Sequence, residues 1–294
     1  MGYVIFGKKI AIKSIGCNTV DVPGHIILPS VNIFVKVTKG CNAGCLFCSN
    51  TNADAIIDDF NQDKFFEIIQ ELKRQRIIIN RINITGGEPS VATNIVLPLL
   101  EECENEKYKE IHLHLNTNGL LPRSKKLMQH PRWNSISISL HHYEHNKLSE
   151  IYGVQISRAA FDFDGIEMSK VNASCNLIRG YIDSAVEVHR ILDFIIELGI
   201  PRVGFVSLMK INEYCEQHYV DFDEIRFEDI PHVYFTNSMN RGKNCKCSNY
   251  LYNKDLKILE IYMRNYMNPQ YCESSLVYDG MYLRQGFQDN NIVY

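Results

Sequence analysis

From about residue 32 the hydrophobic positions of this chain change period at regular intervals, alternating between short β-type runs and stretches with a helical repeat. Six runs predict strands: Asn32 to Val37, Arg81 to Thr85, Ile111 to Leu115, Ser135 to Leu140, Asn172 to Ile178 and Arg202 to Leu208. Between them, DKFFEIIQELKRQ puts Phe65, Ile68, Ile69 and Leu72 on one helical face. SAVEVHRILDFIIELG opens with Ser184 three residues before Glu187, a capping-box spacing, and closes at Gly199 with Pro201 just beyond. Strands alternating with helices of this length pair in parallel through crossovers. The expectation is an α/β fold, an open sheet or a partial (β/α)6 barrel, with its site at the C-terminal ends of the strands.

Beyond residue 210 the pattern changes to short polar segments rich in Tyr, Asn and Asp, ending in SSLVYDGMYLRQGFQDNNIVY, where Asp279-Gly280 predicts a hairpin turn. The expected organisation is an N-terminal extension over residues 1–30, the barrel over 31–212, and a small C-terminal domain over 213–294.

Composition narrows the functional classes. Of 294 residues, 45% are apolar and 22% charged, enough to bury a large core. The net charge of −3 gives no basic field for nucleic acid, and only KRQR at 73–76 is densely cationic, so a nucleic-acid partner is not expected. No window approaches the roughly 20 apolar residues that span a bilayer. Lys8, Lys9, Lys13, Asp21 and Pro23 break the apolar runs where a signal peptide would need continuity, so a cytoplasmic location is expected. Ten cysteines should then stay reduced, and clustered ones are metal ligands or catalytic thiols before they are disulfide partners.

Those cysteines are unevenly placed. KGCNAGCLFCSN packs Cys41, Cys45 and Cys48 into the loop after the first strand. A tetrahedral zinc site would need a fourth ligand, and the loop offers no His or Asp until Asp54. Three ligands suit a cubane iron–sulfur cluster that leaves one iron open.

CxxxCxxC in such a loop resembles the defining motif of the radical SAM superfamily, in which the open iron binds S-adenosylmethionine. Three further stretches resemble the family in the same order: TGGEP at the end of strand two, LNTNG at the end of strand three, and SISISLHH at the end of strand four. The resemblance implies a [4Fe–4S] cluster on Cys41, Cys45 and Cys48. It implies cosubstrate contacts from Phe47, Gly86, Gly87, Glu88, Thr117, Ser139 and Met209, with the glycines letting main-chain carbonyls approach the ligand. Arg179 in NLIRG is a candidate for the ligand carboxylate or a solvated arginine. His141, His142 and Tyr143 past strand four are candidates for proton transfer or substrate contact, or a polar loop without chemistry. An external one-electron reductant such as flavodoxin or ferredoxin is implied as partner.

Cys245, Cys247 and Cys272 resemble the auxiliary-cluster region of the branch holding the GTP 3′,8-cyclases and the SPASM/twitch enzymes, with C-x-C in place of C-x2-C. This implies a second [4Fe–4S] cluster, with Cys215 as a possible fourth ligand; a zinc site, and a buried free thiol at Cys215, stay open. Where the cyclases hold GTP with an arginine and a lysine, this chain has Asn83 and Asn172, which argues against a triphosphate. The remaining expectation is a small-molecule or peptide substrate.

Overall fold

The computed structural model describes residues 2–12, 28–48, 60–238, 247–264, 274–286 and 292–294. Its centre is six parallel strands in sequence order: β3 (Ser30–Lys36), β4 (Ile78–Thr85), β5 (Leu113–Thr117), β6 (Ser135–Ser139), β7 (Val171–Leu177) and β8 (Arg202–Ser207). All six predicted strands exist. Strand β4 starts three residues earlier than expected, at Ile78, and β5 starts at Leu113 because Ile111 closes a turn by donating from its N–H to Tyr108 O (2.9 Å). A short hairpin, β1 (Gly2–Ile5) with β2 (Lys8–Ala11), stands apart from this sheet.

Helix α1 (Gln62–Arg74) is capped by Asn61, whose side chain accepts from Lys64 N–H (2.9 Å), and buries Phe65, Phe66, Ile68, Ile69 and Leu72. Each such side chain contributes about 1.5–3 kcal/mol of transfer free energy. Helices α2 (Thr93–Glu102), α3 (Pro122–Met128) and α4 (His145–Tyr152) follow the next strands. Helix α5 (Ala185–Glu197) starts at Ser184, whose Oγ accepts from Glu187 N–H (3.3 Å). Only that half of the capping box forms, because the Glu187 carboxylate instead takes the Tyr143 hydroxyl (2.7 Å) and Arg190 (2.9 Å). No helix of the described residues is long and apolar enough to cross a membrane.

The strands after residue 212 extend the same sheet at both edges. Strand β11 (Lys257–Arg264) lies parallel to β8 and carries β10 (Ser248–Lys254) and β9 (Val233–Ser238) outward in antiparallel order. Strand β12 (Ser274–Tyr278) lies parallel to β3 and pairs with β13 (Leu283–Gln285), giving this sheet eleven strands among the described residues. The turn between them sits at Asp279-Gly280 as predicted: Asp279 Oδ1 accepts from Met281 and Tyr282 N–H, and Gly280 has φ +97°.

Side chains alternate in burial along the central strands. Ile136 and Ile138 of β6, and Val171, Ala173, Cys175 and Leu177 of β7, are fully buried in the core shared with the helices. The residues between them, Ser135, Ser137 and Ser139, and Asn172, Ser174 and Asn176, are only half-buried. The sheet is therefore apolar on its helix-covered face and polar on its inner face.

Candidate active site

Cys41, Cys45 and Cys48 lie in the loop that leaves β3, at the C-terminal ends of the parallel strands, all half-buried. The loop is braced from three directions. Asn118, just past β5, donates from Nδ2 to Asn42 Oδ1 (2.9 Å), with Cys41 Sγ at 3.9 Å. Tyr152, at the end of α4, accepts from Gly44 N–H (2.7 Å). Asn212, the cap of the short helix α6 (Glu213–Gln217), donates to Leu46 O (3.1 Å).

Burial raises the Cys41 thiol, and burial with repulsion from Cys48 and Cys41 lifts Cys45 to about 12. The thiols are thus electrostatic neighbours. Among the described residues no three metal-ligating side chains are gathered into a metal-holding group.

The two glycines of TGGEP serve this loop. Gly87 N–H donates to Thr38 O (2.7 Å) and Glu88 N–H to Gly40 O (2.8 Å). A Cβ on Gly86 would stand 2.3 Å from Thr38 O, and one on Gly87 would stand 2.0 Å from Gly40 O. The closest neighbour of each glycine within the protein is the backbone leading into Cys41. Close approach is the requirement in both cases, and the partner is the protein itself.

Glu88 is 1% exposed, and its carboxylate is saturated from within. Oε1 accepts from Thr117 Oγ1 (2.7 Å) and Ser90 N–H (3.1 Å), and Oε2 accepts from Asn118 N–H (2.7 Å). Glu88 and Thr117, both expected at the cosubstrate, thus tie the end of β4 to the end of β5 and so hold Asn118 against the cysteine loop.

The remaining candidates spread around the same rim. The Phe47 ring stands edge-on to His141, with centroids 5.0 Å apart. Ser139 ends β6 and Met209 follows β8, half exposed. Arg179 is engaged elsewhere: its Nη2 donates to both Glu224 oxygens (2.7 and 2.9 Å) and to Tyr219 O. Cys215 is fully buried against Ile151, Ile178 and Leu208, with its Sγ 3.7 Å from Phe47 O, which places it with the first cysteine loop. Cys247 is buried just before β10, while Cys245 and Cys272 lie outside the described residues.

His141 accepts from Asn176 N–H on Nδ1 (3.1 Å), and burial drives its pKa down to about 3. Burial thus favours its neutral form, and its ring packs edge-on against Phe47. His142 and Tyr143 stack on each other (4.4 Å) and line a cleft of about 410 Å³ with Lys147, Tyr181, Glu187 and Arg190, outside the cysteine loop. Sequence reasoning missed Asn42, Asn118, Tyr152 and Asn212. Only Asn118, polar and directly after a strand end in LNTNG, carried a usable signal.

His114 behaves like His141, held near 3 by burial and then by Arg81 and His112. Both groups have an unfolded value of 6.5 and a depressed folded one. As pH falls below 6.5 the unfolded chain takes up protons that the folded chain refuses, so stability should fall by up to about 1.4 kcal/mol per pH unit for each histidine. Urea midpoints measured between about pH 6.5 and 5, above the carboxylate range, should decline steadily; a flat profile would contradict the burial of these rings.

A family model for the radical SAM superfamily matches residues 35–210. The chain belongs to the radical SAM superfamily. Among curated relatives of this radical SAM protein, a probable GTP 3′,8-cyclase of Thermococcus kodakarensis is 27% identical over 191 residues, 59% of each chain. One of Methanococcus aeolicus is 23% identical over 278 residues, 88% of this chain and 86% of that protein. A probable dual-specificity RNA methyltransferase RlmN of Clostridium novyi is 31% identical over 117 residues, 37% of this chain and 33% of the relative. The match thus covers between a third and three-fifths of the length of the first and third of these. A solved radical SAM methyltransferase from Sphaerobacter thermophilus shares the fold with TM-score 0.51 at 15% identity, covering 67% of this chain and 61% of that one. Streptococcus suis SuiB bound to S-adenosylmethionine superposes with TM-score 0.50 at 18% identity, covering 66% and 45%.

The radical SAM family implies a [4Fe–4S] cluster and S-adenosylmethionine. The residues fit the cluster: three half-buried thiols on one braced loop, with loop and glycine motif packed too closely to admit a Cβ between them. Cys41, Cys45 and Cys48 would hold it.

Proposed function

We propose that this chain cleaves S-adenosylmethionine reductively and takes a hydrogen atom from a small metabolite held at the mouth of the barrel. The observation that carries this reading is the three-cysteine loop docked on Gly86 and Gly87 at the C-terminal strand ends. When bound on Cys41, Cys45 and Cys48, the cluster would supply the electron for reductive cleavage of S-adenosylmethionine.

The chain's own part is positioning. Glu88, Thr117 and Asn118 fix the loop; Phe47, Ser139 and Met209 form the rim that the cosubstrate would contact. Arg179 would reach the cosubstrate carboxylate only by leaving Glu224. His142 and Tyr143, in the cleft with Lys147, Glu187 and Arg190 outside the cysteine loop, are the candidates to meet a substrate there. The proposal includes an external reductant such as flavodoxin or ferredoxin. It also includes a second cluster on Cys245, Cys247 and Cys272, which would hold substrate or move electrons; Cys215, packed beside Phe47, is its weakest member. A short peptide is the competing substrate class.

Anaerobic reconstitution with iron and sulfide, followed by reduction with dithionite, should release 5′-deoxyadenosine from S-adenosylmethionine. The Cys41→Ala, Cys45→Ala, Cys48→Ala triple variant should fall to the level of a control without protein. A wild-type protein that takes up iron yet never releases this nucleoside would remove the proposal.

A further inference from the structure

Two histidines share one hydroxyl at the end of the barrel opposite the cysteine loop. His112 Nε2 lies 2.8 Å from Ser135 Oγ, and His114 Nδ1 lies 2.7 Å from the same oxygen. The starts of β5 and β6 hold the three in place. Leu113 N–H donates to Asn134 Oδ1 (2.8 Å), Asn134 N–H donates to Leu113 O (3.0 Å), and His114 pairs with Ser135 in the parallel register. Arg132 adds a clamp, donating to Asn134 Oδ1 (3.1 Å) and to Ile111 O (2.9 Å), the residue just before His112. Leu113 and Leu115 belong to the helix-covered core, so the alternating His114 and Asn116 face the barrel interior.

Bond counting fixes how the protons are shared. A serine hydroxyl carries one proton. Among the described residues Ser135 Oγ has no partner besides the two rings, so one ring accepts that proton and the other donates an N–H to the oxygen. The two rings are therefore complementary in protonation. Both are held toward the neutral form: burial, then Arg81 and Arg132, lowers His112, while burial, then Arg81 and His112, takes His114 down to about 3, with Asn116 opposing. A neutral imidazole can take a proton on one nitrogen while releasing one from the other, and it does not keep the charge.

The string also has an outer and an inner end. His112 is half-buried and reaches solvent, whereas His114 is 5% exposed. A buried histidine that needed only a hydrogen-bond partner would be satisfied by the serine. The second ring, on the solvent side of the same oxygen, adds nothing to that.

We infer that His112, Ser135 and His114 form a proton relay between water at the N-terminal ends of the strands and a substrate group inside the barrel. In one passage the substrate takes the Nε2 proton of His114, and His114 Nδ1 takes the hydroxyl proton of Ser135. Ser135 in turn takes the Nε2 proton of His112, whose Nδ1 takes one from water. One N–H or O–H bond breaks for each that forms, and no electron moves. The end state mirrors the start, with each ring in its other tautomer and Ser135 donating the other way, so the same three groups then serve the opposite direction. The relay serves any substrate that gains or loses a proton in the barrel, and it stands or falls independently of the proposed function.

Reconstituted protein carrying isotope-labelled histidine is studied by NMR, which reads the protonation of each ring nitrogen and the exchange of ring N–H protons with water. Of the two nitrogens facing Ser135, one should be protonated and the other bare; both protonated or both bare would overturn the relay. The His114 ring proton, although buried, should exchange within about tenfold of the His112 rate. His112→Phe keeps the bond between Ser135 and His114 but removes the outer nitrogens, and Ser135→Ala removes the link itself. Each should slow exchange at His114 by at least about tenfold, while Ser135→Thr keeps the wild-type rate. A merely structural hydrogen bond predicts otherwise: exchange unchanged in His112→Phe, and faster in Ser135→Ala as the ring loosens. Either result would overturn the inference. Iron content and the backbone amide spectrum report folding, and His112→Gln, which cannot pass a proton between two ring nitrogens, replaces His112→Phe where that variant does not fold.

Discussion

Gly87→Ala is expected to cost at least about 3 kcal/mol of stability and to strip the protein of bound iron in the same step. The new methyl carbon would sit 2.0 Å from Gly40 O, 2.5 Å from Gly40 C and 2.7 Å from Lys39 O. All three are main-chain atoms, so no side chain can rotate away; β4 and the cysteine loop must separate. Separation breaks the hydrogen bonds from Gly87 N–H to Thr38 O and from Glu88 N–H to Gly40 O, which register the loop on the strand. Urea midpoint and iron per chain after reconstitution would both be measured. Gly204→Ala is the contrast: with open space at its Cβ it should change stability by less than about 1 kcal/mol and leave iron content intact. Wild-type iron binding in Gly87→Ala would show that the loop does not depend on this contact.

Glu88→Gln is expected to have the second largest effect, a loss of about 2–3 kcal/mol. The carboxylate receives a hydroxyl and two backbone N–H groups, all buried. A glutamine of the same shape offers one acceptor oxygen and turns an NH2 toward a donor, so at least one backbone N–H loses its partner in a site closed to water. Thermal and urea unfolding would give the stability change. Because Asn118 is held in place by this carboxylate and in turn braces Asn42, iron retention under a competing chelator should fall along with stability. Unchanged retention beside lowered stability would separate Glu88 from the metal loop and leave it a purely structural acid.

Much of this was legible in the chain. The six central strands announced themselves because β-branched runs ended in Gly, Asn or Ser at each C-terminal edge, and α1 and α5 because their caps and apolar faces agreed. Helix α2 was harder to see, since Pro98 interrupts its repeat. The edge strands β9 to β13 were hidden for a different reason: Tyr234, Phe235 and Ile258 are exposed apolar residues, so the inward and outward alternation that marks a half-buried strand is blurred there. At the site, the cysteine spacing named the chemistry. The bracing did not show, because Asn118 to Asn42 and Tyr152 to Gly44 join residues that only the finished fold brings together. The partners of Glu88 were hidden for the same reason, since Thr117 and Asn118 lie 29 and 30 residues away in sequence.

The pairing of β3 with β12 joins Val31 to Ser274, 243 residues apart along the sequence. During synthesis, the strand that launches the metal-binding loop can find β4 early but keeps one flank open until β12 has emerged. Contacts so distant along the sequence make for slow closure and a long interval of exposed edge. Maturation of the metal centre is therefore timed by β12: a ribosome-stalled chain ending before residue 274 should present the cysteines on a frayed edge strand, vulnerable to oxidation and to pairing with a neighbour.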